Sequence, residues 1–144
     1  MNKLLVFVFL FTSIVSVFSQ SFSKFIGYSK RELYNSLGRP LSLNSSGDAT
    51  SVQYSGESSG ETNTYLLKNE KVVLATQGFT GLSLHEAKEK RNVLILFYLA
   101  RGYFKQGTQD GLTILKRGQK VVSIGYMNMI DSVSEYVTLV TAYN

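Results

Sequence analysis

Two tetrapeptides of the same form, Ser29-Lys30-Arg31-Glu32 and Ser83-Leu84-His85-Glu86, fix where this chain can start a helix. In each, the serine hydroxyl can accept a hydrogen bond from the glutamate backbone N–H, while the glutamate carboxylate reaches back to the serine N–H. Two of the orphan donors that open any helix are thereby satisfied from within four residues. The first box also carries a hydrophobic staple, with Tyr28 and Leu33 at the two stapling positions. Gly38 and Pro40 stop that helix, because glycine suits the left-handed turn after a helix and proline cannot continue one. The spacing predicts a helix over Lys30–Leu37. After the second box, the charged turn Lys88-Glu89-Lys90-Arg91 leads into an apolar run from Val93 to Ala100. Box and stop at Gly102 favour one helix, about Leu84 to Arg101. A buried strand over 92–99 has the same apolar pattern and stays open.

Each box is followed by a hairpin. Residues 62–67 and 71–77 carry β-branched and aromatic side chains on either side of a tip at Asn69-Glu70. Leu112–Lys116 and Gln119–Met129 flank a turn at Arg117-Gly118. The hairpins match in sequence, Leu66-Leu67-Lys68-Asn69-Glu70-Lys71-Val72-Val73 against Ile114-Leu115-Lys116-Arg117-Gly118-Gln119-Lys120-Val121-Val122. A last strand is expected over about Glu135 to Tyr143. Half of Leu41–Gly60 is serine or glycine, which favours turns, and Val52-Gln53-Tyr54 is its one alternating island. The economical fold class is α+β: an antiparallel sheet of four to five strands packed against two helices, as a degenerate tandem helix-strand-strand repeat.

The first nineteen residues bear on address rather than fold. Lys3 is the only charge before Lys24, an apolar run spans Leu4 to Val17, and Val17 and Ser19 are small residues spaced for a signal peptidase. Thr12, Ser13 and Ser16 interrupt the run, which falls short of the ~20 apolar residues a membrane span needs. The expected organisation is a signal peptide over 1–19 and a single α+β domain over 20–144, secreted or periplasmic, with no transmembrane segment after cleavage. The chain has no cysteine, so no disulfide framework supports it and the fold must rest on apolar burial. The formal charge of +5 is a mild excess, far from a nucleic-acid footprint.

Gly27-Tyr28-Ser29-Lys30-Arg31-Glu32-Leu33-Tyr34-Asn35-Ser36-Leu37-Gly38-Arg39-Pro40 resembles the helix and Leu-Gly-x-Pro element of small outer-membrane-assembly lipoproteins. It is similar, too, to the repeats of the β-lactamase-inhibitor-protein-like fold. The chain departs from these families in having no lipid-attachment cysteine, no cysteines for the inhibitors' disulfides and no tryptophan. The resemblance implies a sheet surface that binds protein, and it transfers no functional residue by position.

Residues with chemical potential are few. His85 is the sole histidine, and zinc would have to rely mainly on carboxylates, so no catalytic residue, metal site or cofactor is expected. Ser55-Gly56-Glu57-Ser58-Ser59-Gly60 lacks the Gly-x-Ser-x-Gly elbow of a serine nucleophile and reads as a linker. Glu57 and Glu61 could serve glycoside chemistry only if both faced one cleft about 5–9 Å apart. No glycine-rich loop precedes a helix in the manner of a phosphate cradle. Lys68, Lys71, Lys116, Arg117 and Lys120 flank the hairpin turns, either as edge protection or as basic clusters on related ends of the sheet. Phe97 and Tyr98 lie in the apolar run, as core or as a dimer patch. In the last strand Tyr136, Thr138, Val140 and Ala142 alternate with Val137, Leu139, Thr141 and Tyr143, which suits a central strand or a binding face.

The leading expectation is therefore an exported, non-catalytic interaction module that binds a protein or cell-envelope component, with binding residues unassigned. A small secreted hydrolase and an envelope protein that self-associates through Phe97 are the alternatives. The hydrolase requires titratable groups converging in one pocket. Self-association requires Phe97 and Tyr98 to be exposed.

Overall fold

The computed structural model describes residues 20–129 and 135–144. The expected signal peptide over 1–19 lies outside the described residues. Both capping boxes form. Ser29 N–H donates to Glu32 Oε2 at 2.7 Å, and the Glu32 N–H donates to Ser29 Oγ at 3.3 Å, opening α1 (Lys30–Leu37). Ser83 N–H donates to Glu86 Oε2 at 2.8 Å, and Glu86 N–H to Ser83 Oγ at 3.3 Å, opening α2 (Leu84–Ala100). Gly38 stops α1 with φ 76°, its N–H donating to the Tyr34 carbonyl at 2.8 Å. The apolar run is helix, so the strand alternative over 92–99 falls away. A single helical turn, Gln20–Ser23, precedes these elements.

Eight strands follow: β1 (Ser42–Ser46), β2 (Ala49–Ser55), β3 (Glu61–Lys68), β4 (Lys71–Leu82), β5 (Phe104–Gln109), β6 (Leu112–Arg117), β7 (Lys120–Asn128) and β8 (Tyr136–Tyr143). They form one antiparallel sheet in the order β1-β2-β3-β4-β8-β7-β6-β5. The expected four to five strands are thus corrected to eight. The additional strands lie towards the sheet margins, where side chains stay wet. All five residues of β1 are exposed, and in β5 only Gly107 is partly covered. Backbone pairing alone holds such edges, so they carry no hydrophobic alternation. Ser42–Ser46 and Ala49–Ser55, from the segment expected to favour turns, pair register by register across β1, β2 and β3. Within that segment Gly47–Asp48 is the β1–β2 turn and Gly56–Gly60 the loop from β2 to β3.

The tandem expectation is corrected as well. Each unit is a helix followed by four strands, and β4 lies antiparallel beside β8. The sheet order of the second unit mirrors that of the first, as a half-turn about an axis between β4 and β8 requires. The matching hairpins are β3–β4 and β6–β7, which occupy different places in their units. Their likeness stops at the sequence, since the β6–β7 turn has positive φ at Gly118 alone, 61°. At the β3–β4 turn both Asn69 and Glu70 have positive φ, 50° and 60°, which matches the twist of the flanking strands.

One face of the sheet is covered. Phe22, Phe25, Leu33, Leu94, Phe97 and Tyr98 pack onto Val52, Tyr65, Leu67, Val72, Leu115, Val122, Ile124 and Val140 in a continuous core. Tyr65, 1% exposed, sits at the edges of the Phe25 and Tyr54 rings, with centroids 5.7 and 6.0 Å away. The buried Thr138 hydroxyl donates to the Ala87 carbonyl at 3.0 Å and ties α2 to β8. Strand alternation turns Leu66, Leu74, Thr76, Leu139, Thr141 and Val121 to the opposite, helix-free face. Among the described residues no helix is long and apolar enough to cross a membrane.

Candidate functional site

The residues considered for catalysis do not converge. His85 stands on the surface of α2 with Nε2 3.3 Å from Glu89 Oε1, both side chains largely exposed. Glu57 is exposed, whereas Glu61 is buried, its Oε1 accepting from Gln77 Nε2 at 2.6 Å and its Oε2 from the Ser58 N–H at 3.3 Å. The described residues contain no group of three or more histidines and carboxylates placed to hold a metal ion. Nothing in this arrangement supports the hydrolase reading.

Phe97 and Tyr98 are core residues, 5% and 4% exposed, with rings packed edge to face at 5.2 Å. That overturns a dimer patch built on them. The outward stripe of α2 is instead Val93, Leu96 and Leu99, with Leu96 66% exposed. The last strand proves central, β8 lying between β4 and β7.

The basic residues at the hairpin turns do come together. Tyr143 lies opposite Leu74 near the start of β4 and opposite Val121 near the start of β7. The β3–β4 and β6–β7 turns therefore share one end of the sheet, about 14 Å apart across three strand spacings. The basic clusters expected on related ends of the sheet thus lie at the same end. The β1–β2 turn and the C-terminal end of α2 reach the same end. Lys68 pairs with Asp48 at 3.9 Å, and Lys30 with Glu70 at 3.9 Å.

On the α2 side of this end lies a cleft of about 370 Å³ lined by Ser23, Lys24, Phe97, Tyr98, Arg101, Tyr103, Arg117 and Lys120. Four of these side chains are cationic and none is acidic. Chain geometry fixes both arginines. Arg101 follows the last residue of α2, its guanidinium 3.3 Å from the Phe97 ring centroid and its Nη1 donating to the Phe97 carbonyl at 3.5 Å. Arg117 ends β6, stacks at 5.0 Å over Tyr103, and donates from Nη1 to the Arg101 carbonyl at 2.6 Å. Basic side chains at the carbonyl end of a helix are locally favourable. Burial pushes the Arg101 guanidinium below its ordinary pKa, because desolvation penalises the charged form. No ion pair among the described residues uses Lys24, Arg101, Arg117 or Lys120.

Comparison with family models, with curated proteins and with solved structures finds no match to this chain.

The sequence reading singled out Arg117 and Lys120 but missed Lys24 and Arg101. Arg101 had a signal, as the cation beside the Gly102 helix stop. Lys24 had none, because its place depends on the helical turn Gln20–Ser23 docking against β4.

The helix-free face is mixed rather than uniformly polar. Leu66, Leu74, Tyr143 and Val121 form one transverse row, half-buried. Beside it runs a hydroxyl row, Thr64, Thr76, Thr141 and Ser123, in which the Thr76 and Thr141 hydroxyls meet at 3.1 Å.

Proposed function

We propose that this chain is an exported, non-catalytic interaction module that docks an acidic protein or cell-envelope component against the basic end of its sheet. The observation that carries the reading is the gathering of Lys24, Lys68, Lys71, Arg101, Lys116, Arg117 and Lys120 around one end, where Asp48 and Glu70 are the carboxylates paired nearby. Such a field raises the encounter rate with an acidic surface and selects against a basic one. The resemblance of Gly27–Pro40 to protein-binding repeats supports the same class of function, and the half-buried apolar row on the helix-free face extends the contact area available to a partner.

The test is retention on native envelope extract. The wild-type chain is expected to be held at low salt and released near 1 M, where the screening length falls to about 3 Å. A Lys68→Glu/Lys116→Glu double variant is expected to pass through at both. Retention of that variant equal to wild type, or binding indifferent to salt, overturns the reading.

A further inference from the structure

The cleft beneath the end of α2 differs from the rest of the basic end in ways that long-range attraction does not require. Its cations line a single concavity. Its arginines are pre-oriented, each stacked on an aromatic ring and each holding a backbone carbonyl. Stacking uses the face of a guanidinium and leaves edge donors available, since arginine has five N–H donors and each of these two has committed one nitrogen. Their charge is uncompensated by any acidic lining residue, and the partial burial of Arg101 makes that imbalance costly.

The charge count selects the ligand. A single carboxylate would offset one of four cations, whereas a phosphate ester carries about −1.5 to −2 at neutral pH and three acceptor oxygens that fit guanidinium forks. The cleft also continues, through shared residues Ser23, Lys24, Tyr103 and Lys120, into a smaller pocket of about 160 Å³ whose wall adds Ile26, Val121, Val122, Ala142, Tyr143 and Asn144. A charged head with an organic body of mixed polarity fits that sequence of surfaces. We propose that this cleft is a phosphoryl-binding site, with Lys24, Arg101, Arg117 and Lys120 holding the phosphate oxygens and the adjoining pocket receiving the organic part of the ester. The proposal deepens the docking reading by naming the group recognised at the same end. A lipid headgroup and a soluble phosphate ester share this chemistry.

Calorimetric titration of the full chain, produced in an exporting host, with inorganic phosphate tests the site. Saturable binding is expected. Replacing the exposed pair, Lys24→Gln/Lys120→Gln, should weaken it about tenfold or more, the scale of one or two lost charge-assisted hydrogen bonds. Arg117→Gln should weaken it as well, whereas Lys68→Gln/Lys71→Gln should leave it unchanged. Absence of saturable binding, or equal weakening by the Lys68/Lys71 pair, overturns the site. Vesicles separate the sources: preference for phosphatidic acid over phosphatidylserine identifies a lipid headgroup, and phosphate binding without that preference identifies a soluble ester. No phosphate binding with salt-sensitive retention on envelope defeats this site and leaves docking intact. Phosphate binding without envelope retention defeats docking and leaves the site.

Discussion

The Glu61 carboxyl group is buried and hydrogen-bonded on both oxygens, to the Gln77 amide and to the Ser58 backbone N–H. It can sit there only because Gly56 has no side chain: a Cβ at that position would overlap Glu61 Cγ and Cδ. Glycine here supplies space rather than an unusual backbone angle. Gly56→Ala is expected to destabilise the fold by about 1–3 kcal/mol, the range for overpacking. Glu61→Ala should be costly alone, because it strips Gln77 and the loop of their acceptor. Combined, the two should cost less than their sum, with a coupling of at least ~0.5 kcal/mol by urea denaturation. Simple additivity would show that the overlap is not what makes Gly56 necessary. The sequence signalled none of this. It offered Glu57 and Glu61 as a carboxylate pair, and the structure separates them because strand β3 turns Glu61 inward while Glu57 stays in the loop.

At the scale of elements, both helix starts were legible because a capping box is complete within four residues. Each box also sets a pH response. The Glu32 and Glu86 carboxyls are held below their ordinary pKa, chiefly by the backbone N–H of Ser29 and of Ser83 and next by the serine side chains. A depressed folded-state pKa gives stability that is present above the unfolded value and lost as pH falls through the folded one. The helix starts should therefore weaken on the acid side, below about pH 4.5. Glu32→Gln/Glu86→Gln should flatten the acid limb of a stability–pH curve while keeping the ~1 kcal/mol contribution of each serine cap. An unchanged acid limb would place the acid sensitivity elsewhere. The edge strands were illegible for the converse reason. Ser42-Leu43-Asn44-Ser45-Ser46 pairs with β2 along its whole length, yet nothing in its composition separates it from a loop. The cleft was half legible: Arg117 announces itself beside its turn, but only the return of α2 brings Arg101 beside it, 16 residues away in sequence.

For the whole molecule, the decisive contact is the seam between β4 and β8, because it joins two helix-plus-four-strand units into one sheet. Neither unit can expose that seam cheaply. Val140 and Ala142 of β8 are buried in the same cluster as Tyr65, Leu67 and Val72 of the first unit. The core is shared, so the units should unfold together in one cooperative transition, as single cores of this size do. Protection against hydrogen exchange should then be greatest in β4, β8 and β7 and smallest in β1 and β5, following distance from the seam. Val140→Ala, which removes two buried carbons from a fully enclosed site, should cost about 2–3 kcal/mol. Its distinctive consequence is spatial. The slowest-exchanging amides of β3 and β7, on opposite sides of the seam, should lose protection by the same factor, because both exchange through global unfolding. Loss confined to β7 would mean that the units open separately. In that case the basic end, assembled from turns of both units, would hold its geometry only while the seam is closed.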